Sequence, residues 1–199
     1  MLIKNEFEVA QPVEKVWQFF DNIPQVAACL PGTELTENLG GDKYEGKVAI
    51  RMGPVKLQFG GTAQITERDE AAKRIVVDAS GSEVRGRGQA AMMVTATLTR
   101  SGRGTNVGVT QDLQLSGAAA QYGRGMISDV TNVLMRDFST NLMNRIDAVE
   151  RGLSPDQVAA ARPASGFAIA LRAAQLALSR VFRRFFLPYP AHSGRANPS

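Results

Sequence analysis

Residues 1–32 of the chain, MLIKNEFEVAQPVEKVWQFFDNIPQVAACLPG, combine one strand pattern with two helix patterns. Apolar and polar residues alternate over residues 2–9, which is the period of a half-buried strand. Pro12 then stands at a first helical position. Four apolar residues follow at helical spacing: Val13, Val16, Trp17 and Phe20. PQVAACLPG predicts a second short helix, which Pro31 and Gly32 end.

The pattern changes to short alternating runs broken by glycine between Glu34 and Leu115. Five runs stand out: KYEGKVAIRMG, VKLQFGGTAQITERD, KRIVVDASG, GQAAMMVTATLTRSG and GTNVGVTQDLQLSG. Short strands joined by Gly, Asn and Asp turns predict an antiparallel meander. Alternate positions of a strand share a face, so two apolar sets are predicted to point at the core. They are Val55, Leu57, Phe59, Ala63 and Ile65 in the second run, and Ala90, Met92, Val94, Ala96 and Leu98 in the fourth.

A helical period returns between Met126 and Val149. Its apolar stripe consists of Ile127, Val130, Leu134, Phe138, Leu142, Ile146 and Val149. Such a long amphipathic helix needs an apolar surface, and the curved sheet supplies one. RGLSPDQVAAARPASG then predicts a linker because it mixes Gly, Pro and Ser. We therefore predict a domain over 1–150, a flexible linker over 151–165, a tail helix over 166–187 and a disordered end over 188–199.

Composition excludes several classes of protein. The chain has 199 residues, of which 44% are hydrophobic and 21% charged, enough for one packed domain with an appendage. Its single cysteine, Cys29, cannot form an internal disulfide. The sequence contains no CxxC motif and no His/Cys cluster that could bind a metal. The only histidine, His192, lies in the terminal PYPAHSGRANPS, which argues against a histidine base. We expect no catalytic residue, no metal and no covalent cofactor.

The net charge of +4 is unevenly placed along the chain. No acidic residue follows Asp156, whereas the tail holds Arg162, Arg172, Arg180, Arg183, Arg184 and Arg195. This asymmetry predicts an anionic partner for the tail, either a membrane surface or a nucleic acid. The N-terminal MLIKNEFEVA lacks the basic region and apolar run of a secretory peptide, so we expect a cytoplasmic protein.

In the tail segment GFAIALRAAQLALSRVFRRFFL, residues 166–187, seven apolar side chains lie in one sector of a helical wheel with arginines on the flanks, although Ile169, Leu176 and Leu187 interrupt the polar face. This layout is typical of a helix that lies in a membrane interface. A spanning orientation would bury Arg172 and Arg180 at about 2.5–3.5 kcal/mol each near the bilayer centre. We therefore expect an anionic membrane surface and no nucleic acid; the alternative is a helix docked on the domain or on a partner. The predicted membrane-binding residues are Phe167, Leu171, Leu178, Arg180, Phe182, Arg183, Arg184 and Phe185.

The order of strand, two short helices, antiparallel strands and long C-terminal helix resembles the START-like (SRPBCC) superfamily of polyketide cyclases and lipid carriers. Within it, the chain resembles the family of the carbon monoxide dehydrogenase G subunit over roughly residues 1–150. The matching features are the opening strand, the PVEKVWQFF helix, the ACLPG turn, YEGKVAIRMGPVKLQFGG and RGRGQAAMMVTATL. The resemblance implies an α+β helix-grip fold, in which a curved antiparallel sheet wraps around a long C-terminal helix, here with an added amphipathic tail helix.

The resemblance also implies an accessory protein rather than an enzyme. Members of the family accompany molybdenum hydroxylases of the carbon monoxide dehydrogenase type and help hold them at the cytoplasmic membrane. They are thought to bring these enzymes quinone as electron acceptor. The expected partners are thus such a hydroxylase, a hydrophobic small molecule (quinone or lipid) and the inner face of the cell membrane.

A bent sheet wrapped around one helix cannot always be filled by side chains, so a cavity is expected between the two. Methionine suits an adaptable apolar surface, and Met92 stands in mid-strand on the predicted inner face. The predicted ligand-binding residues come from the first helices, the inward strand faces and the helix stripe. They are Phe20, Leu30, Leu57, Phe59, Met92, Val94, Ile127, Val130 and Leu134. A solid core would use most of the same residues.

Two polar features allow other interpretations. Cys29 has no histidine to stabilise a thiolate, so a structural role is expected, with the following Leu-Pro-Gly as a rigid lip at the cavity mouth. Arg85 and Arg87 in VRGRGQ would lie on one side of a strand, as a site for an acidic partner or as a solvated edge.

The alternative function is a small enzyme of the cyclase or hydrolase kind, or a general lipid carrier. An enzyme needs polar groups that converge in the cavity. Alternation predicts that most of the candidates face out: Tyr44, Glu45, Gln58 and Gln89. Asp78 or Tyr122 pointing inward would favour the enzyme.

Overall fold

The computed structural model describes residues 1–52 and 55–152. The strands of this part are β1 (Leu2–Val9), β2 (Thr33–Gly40), β3 (Lys43–Met52), β4 (Val55–Asp69), β5 (Arg74–Glu83), β6 (Gln89–Ser101) and β7 (Gly104–Leu115). The helices are α1 (Val13–Asp21) and α2 (Ile23–Cys29), between β1 and β2, and α3 (Arg124–Glu150). A short 3-10 helix (Gly117–Gln121) joins β7 to α3.

The seven strands form one antiparallel sheet in the order β1-β7-β6-β5-β4-β3-β2. Strands β2 to β7 pair in sequence, and β1 lies at the opposite edge beside β7. Helix α3 crosses the sheet close to β1 and contacts α2 at its other side. This arrangement confirms the predicted helix-grip fold.

Alternation along the strands places one face of the sheet against the helices. In β4 the buried residues are Leu57, Phe59 and Ile65, and in β6 they are Ala96 and Leu98. All of them belong to the predicted inward sets. The inner face is therefore the one that the alternating pattern indicated, and the outer face is turned to solvent.

The buried side chains form two clusters. The first cluster joins α1, α2 and the second half of α3 to the sheet, and includes Trp17, Phe20, Phe138 and Leu142. Phe20 and Phe138 meet edge to face, with ring centroids 6.5 Å apart. The second cluster lies at the beginning of α3 and consists of Ile3, Leu57, Phe59, Ala119, Ile127 and Val130. The face of the sheet between the clusters holds the candidate site.

The Leu-Pro-Gly turn fixes α2 to the sheet. Gly32 has a φ of +76°, and a Cβ atom there would lie 2.4 Å from the backbone oxygen of Ala49 in β3. The backbone N–H of Ala49 donates to the carbonyl oxygen of Gly32 at 2.8 Å. Glycine is required here both by the left-handed conformation and by the close approach of the strand.

Some elements differ from the sequence predictions. Val149 is 52% exposed although it continues the α3 stripe. The last turn of α3 lies beside polar side chains instead of the apolar face, because Gln11 and Lys15 both bond to Glu150 there. Strand β2 was not among the predicted runs; its sequence TELTENLG is mostly exposed at the sheet edge and shows little apolar alternation.

The predicted linker beyond Gly152, the tail helix over 166–187 and the end over 188–199 lie outside the described residues. The eight predicted membrane-binding residues and His192 lie there too. Among the helices of residues 1–52 and 55–152, none has the length and hydropathy needed to cross a membrane.

Candidate ligand-binding site

The inner face of the sheet is only partly covered by α3. One cross-strand row runs over four strands, with Ala63 opposite Ala79, Ala79 opposite Met92 and Met92 opposite Leu113. All four side chains point to the helix side, yet each is only partly buried. The inner face around these small residues of β4 and β5 is therefore incompletely covered by side chains. We call this partly exposed strip the inner groove.

A second row extends the inner groove toward the beginning of α3. Gly61 lies opposite Gly81, Gly81 opposite Ala90 and Ala90 opposite Leu115. A Cβ atom on Gly61 would lie 2.0 Å from the backbone oxygen of Ser80. The strands approach too closely for a side chain at this point, as expected where a sheet bends sharply. The bend keeps the groove floor free of side chains.

The structure places eight of the nine predicted ligand-binding residues at the two ends of the inner groove. At one end, Leu57, Phe59, Ile127 and Val130 belong to the second cluster, and Leu134 packs against it. At the other end, Phe20 belongs to the first cluster, and Leu30 and Val94 pack against it. Met92 belongs to neither cluster and lies between them. A role of these residues in ligand binding stays a prediction.

A buried carboxylate that the sequence analysis missed lies at the second-cluster end of the groove. Glu83 is 4% exposed and is paired in register with Phe59. Its alternation phase is that of Val77, Ala79 and Gly81, which all face inward. This phase was the available signal, since a strand that continues to residue 83 must turn Glu83 toward the core.

Arg87 neutralises this buried carboxylate. Its Nη2 donates to Glu83 Oε1 at 2.9 Å and its Nε donates to Oε2 at 3.2 Å. The backbone N–H groups of Arg85 and Arg87 also donate to Oε2, at 2.9 and 3.3 Å. The expectation that both arginines lie on a strand was wrong: they belong to the turn between β5 and β6, and Arg87 is an ion-pair partner rather than part of a solvated edge.

The hydrogen bond from the Arg87 side chain is the main cause that lowers the pKa of Glu83 to about 2. A carboxyl whose pKa is lower in the folded chain than its unfolded value of 4.5 stabilises the fold at every pH above 4.5. This contribution is lost as the pH falls toward 2. We expect Glu83→Gln to lower the melting temperature at pH 7 by roughly 5–10 °C, because it leaves Arg87 without its counter-charge. Thermal unfolding between pH 2 and 7 should show the difference shrink below pH 4.5.

The matched control is Glu67→Gln, since the Glu67–Arg74 ion pair is exposed on both sides. Exposed ion pairs contribute little to the free energy of unfolding, so the melting temperature of the Glu67→Gln variant should differ from wild type by less than about 2 °C. Equal effects of the two substitutions, or a Glu83→Gln effect that persists unchanged at pH 2, would contradict this account of the ion pair.

The thiol of Cys29 is built into the first cluster. Its Sγ donates to the backbone oxygen of Gln25 at 3.3 Å, and burial raises its pKa to about 12 despite the nearby Arg145. Arg145 is itself buried and donates to Gln25 Oε1 at 2.9 Å. A thiol with so high a pKa is protonated at neutral pH, which favours the structural role over a nucleophile.

The polar residues considered for an enzyme are mostly directed away from the groove, as expected. Four of them are exposed and alternate with the inward-facing residues of their strands: Glu45, Gln58, Asp78 and Gln89. Tyr44, in contrast, has the inward phase and lies opposite Ala63. Tyr122 also lies on the inner side, where it packs against the second cluster.

Two open surface grooves are lined mainly by residues of the outer-face alternation phase. The larger, about 570 Å³, crosses β4 to β7. Its lining includes the outward-facing Thr62, Ser80, Ser82 and Gln114, and also Gly61, Gly81, Ala90 and Leu115 of the second row. The smaller, about 360 Å³, lies between β1 and the end of β6. Neither is lined by a residue of α3, and small polar side chains supply much of the larger one.

A curved antiparallel sheet with a long helix packed on its inner face is the START-like fold. The chain belongs to the family of the carbon monoxide dehydrogenase G subunit (CoxG), whose model matches residues 6–147. The matching family is that of a carbon monoxide dehydrogenase subunit, which supports a role as an accessory protein of such an enzyme.

Solved structures show the same fold. A conserved protein from Geobacillus kaustophilus is similar with a TM-score of 0.66 and 22% identity, over 74% of this chain and 95% of that one. A protein from Thermus thermophilus is similar with a TM-score of 0.54 and 15% identity, over 75% of this chain and 99% of that one. An aromatase/cyclase from Streptomyces sp. R1128 is similar with a TM-score of 0.50 and 14% identity, over 78% of this chain and 98% of that one. No curated protein sequence matches the chain.

Proposed function

We propose that the chain is an accessory protein of a molybdenum hydroxylase of the carbon monoxide dehydrogenase type, which it recruits to the cytoplasmic membrane. In this proposal the domain binds a hydrophobic molecule, a quinone, in the inner groove and presents it to the enzyme as electron acceptor. The single observation that best supports this proposal is the half-covered apolar face between the two clusters, in a chain of this family.

The inner groove fits a ligand with a long apolar body. It is apolar at both ends, and its floor consists of small, partly buried residues: Gly61, Ala63, Ala79 and Gly81. Apolar surface that stays exposed to water costs free energy, about 25 cal/mol for each Å². A bound apolar molecule would remove this cost. Redox chemistry in the proposal belongs to the quinone, and the chain supplies binding and orientation.

The proposed membrane contact rests on the arginine-flanked apolar segment at residues 166–187. Attraction to anionic lipids contributes about 1 kcal/mol for each arginine near the surface and weakens with salt. A flat position on the inner face of the membrane keeps the arginines in water. Together, the tail and the groove would place a ligand-carrying domain beside the bilayer.

An enzyme of the cyclase or hydrolase kind is the second candidate. The observation that favours it is the inward phase of Tyr44 and the inner-side position of Tyr122. In residues 1–52 and 55–152, however, no three His, Cys, Asp or Glu side chains come together as a metal site. The buried carboxylate, Glu83, is held ionised by Arg87, and so is poorly suited to act as a base near neutral pH.

Vesicle co-sedimentation tests the recruitment. A molybdenum hydroxylase of the carbon monoxide dehydrogenase type is mixed with vesicles that contain anionic phospholipid, with and without the full chain. We expect the enzyme to sediment with the vesicles only when the chain is present, and to be released in part at high salt. An enzyme that sediments equally in both samples, or in neither, would contradict the proposed function.

A further inference from the structure

Two hydrogen-bond donors lie at the second-cluster end of the inner groove, beside an apolar surface. One is the guanidinium of Arg87, which Glu83 holds on the inner side of the sheet next to Phe59. The other is the hydroxyl of Tyr122, whose ring packs against the second cluster. The 3-10 helix that precedes Tyr122 is joined to the backbone of Arg87, because the backbone N–H of Ala118 donates to the Arg87 carbonyl at 2.7 Å.

Both donors have capacity for a further acceptor. The Arg87 side chain uses Nε and Nη2 for Glu83, and Nη2 also approaches the Lys56 carbonyl at 3.4 Å. Within the described part of the chain, no acceptor bonds to Nη1 of Arg87 or to the Tyr122 hydroxyl. The Arg87 side chain is 37% exposed, so an additional molecule can reach it. Tyr122 is close enough to contribute, after Glu83, to the raised pKa of Arg87.

The charges at this end select the kind of acceptor. Glu83 neutralises Arg87, so the pair presents hydrogen-bond donors without a net positive charge. A carboxylate ligand would be repelled by the neighbouring Glu83 carboxylate, whereas a carbonyl oxygen would accept the hydrogen bonds without adding charge. An apolar molecule that ends in carbonyl groups matches both the donors and the groove.

We propose that Arg87 and Tyr122 form a head-group site in the inner groove, where they donate hydrogen bonds to a carbonyl oxygen of the bound apolar molecule. The body of the molecule then lies along Leu115 and Met92. Glu83 is a positioning residue, since it orients Arg87 and does not itself touch the ligand. This inference rests on the hydrophobic-ligand role proposed above and adds the chemistry that recognises one end of the ligand.

Calorimetric titration of the full chain with three probes tests this site. The probes are decylubiquinone, which has ring carbonyls, decylbenzene, which has none, and decanoate, which is anionic. We expect wild type to bind decylubiquinone most tightly. Tyr122→Phe and Arg87→Lys should each weaken decylubiquinone about 3- to 10-fold, as for the loss of one hydrogen bond, and leave decylbenzene unchanged. Glu83→Gln should also lower the ratio of the affinity for decylubiquinone to the affinity for decylbenzene. A purely structural role of Glu83 would not change this ratio.

The matched control is Arg85→Lys, which makes the same substitution two residues away, at an exposed side chain whose backbone N–H, and not its guanidinium, bonds to Glu83. It should change no affinity. If Tyr122→Phe keeps the wild-type preference for decylubiquinone over decylbenzene, or if decanoate binds best, the head-group site is wrong while the hydrophobic-ligand role stands. If neither decylubiquinone nor decylbenzene binds the folded wild-type chain, the ligand role falls and the head-group site with it.

Discussion

The Met92→Trp variant of the full chain is expected to lose roughly tenfold or more of its affinity for decylubiquinone while it stays folded. Met92 is partly buried and lies opposite the small Ala79, between the two clusters. The indole ring can therefore enter the inner groove without displacing packed side chains, and it occupies the space that the ligand needs. Titration gives the affinity, and thermal unfolding should place the melting temperature within about 2 °C of wild type.

The matched control for this variant is Leu57→Trp. Leu57 is 2% exposed within the second cluster, so the larger ring has no space and should destabilise the fold by about 1–3 kcal/mol. If Met92 lies in a groove, Met92→Trp should lower the free energy of unfolding less than Leu57→Trp does. If Met92→Trp unfolds as readily as Leu57→Trp, the inner face is a solid core and the proposed ligand site is wrong.

Reversal of three tail charges, Arg180→Glu, Arg183→Glu and Arg184→Glu, should weaken binding to anionic vesicles about 100-fold. Each arginine near an anionic surface contributes about 1 kcal/mol, and three together correspond to about two powers of ten in affinity. Co-sedimentation of the full chain across a lipid titration measures the change. High salt should weaken wild-type binding and leave the variant little affected.

A variant with the same change in net charge serves as the control: Arg103→Glu, Arg136→Glu and Arg151→Glu, at exposed positions of the folded domain. Its vesicle binding should stay close to that of wild type. Equal weakening by both variants would show that net charge, and not the tail, determines membrane binding. No weakening by the tail variant would contradict the membrane-interface prediction for residues 166–187.

Strong periodicity explains why most of the fold could be predicted from the sequence. Four of the α1 residues, Val13, Val16, Trp17 and Phe20, recur at helical spacing, and all four are buried. In β4 and β6 the apolar residues alternate over long strands, so the inner face was predicted correctly. Signals of this kind come from burial itself, which requires apolar residues wherever an element faces the core.

Elements with little burial gave weaker signals. Strand β2 lies at the sheet edge and is mostly exposed. It pairs with β3 through its backbone, which does not require its side chains to alternate between apolar and polar. The exposure of Val149 depends on what lies next to the last turn of α3, which helical spacing alone does not reveal. Both differences arise from tertiary surroundings rather than from local sequence preference.

The inward direction of the apolar residues was predicted, whereas their role in ligand binding stays a prediction. The sequence did not indicate that the small residues of β4 and β5 lie partly exposed between two clusters. It also missed the polar end, because Arg87 was assigned to a strand, whereas it belongs to a turn that folds back on Glu83. An ion pair across a turn depends on the turn's geometry, which strand alternation does not describe.

Mass spectrometry of apolar molecules extracted from the purified full chain shows whether the domain carries a quinone. Wild type and Met92→Trp are produced in the same host, extracted in parallel and compared per mole of folded protein. The account predicts an apolar, carbonyl-bearing compound of the quinone class in the wild-type extract, near one molecule per chain, and its depletion in the Met92→Trp extract. Identical extracts from the two proteins, or a wild-type extract without such a compound, would contradict the claim that this domain binds a quinone in the inner groove.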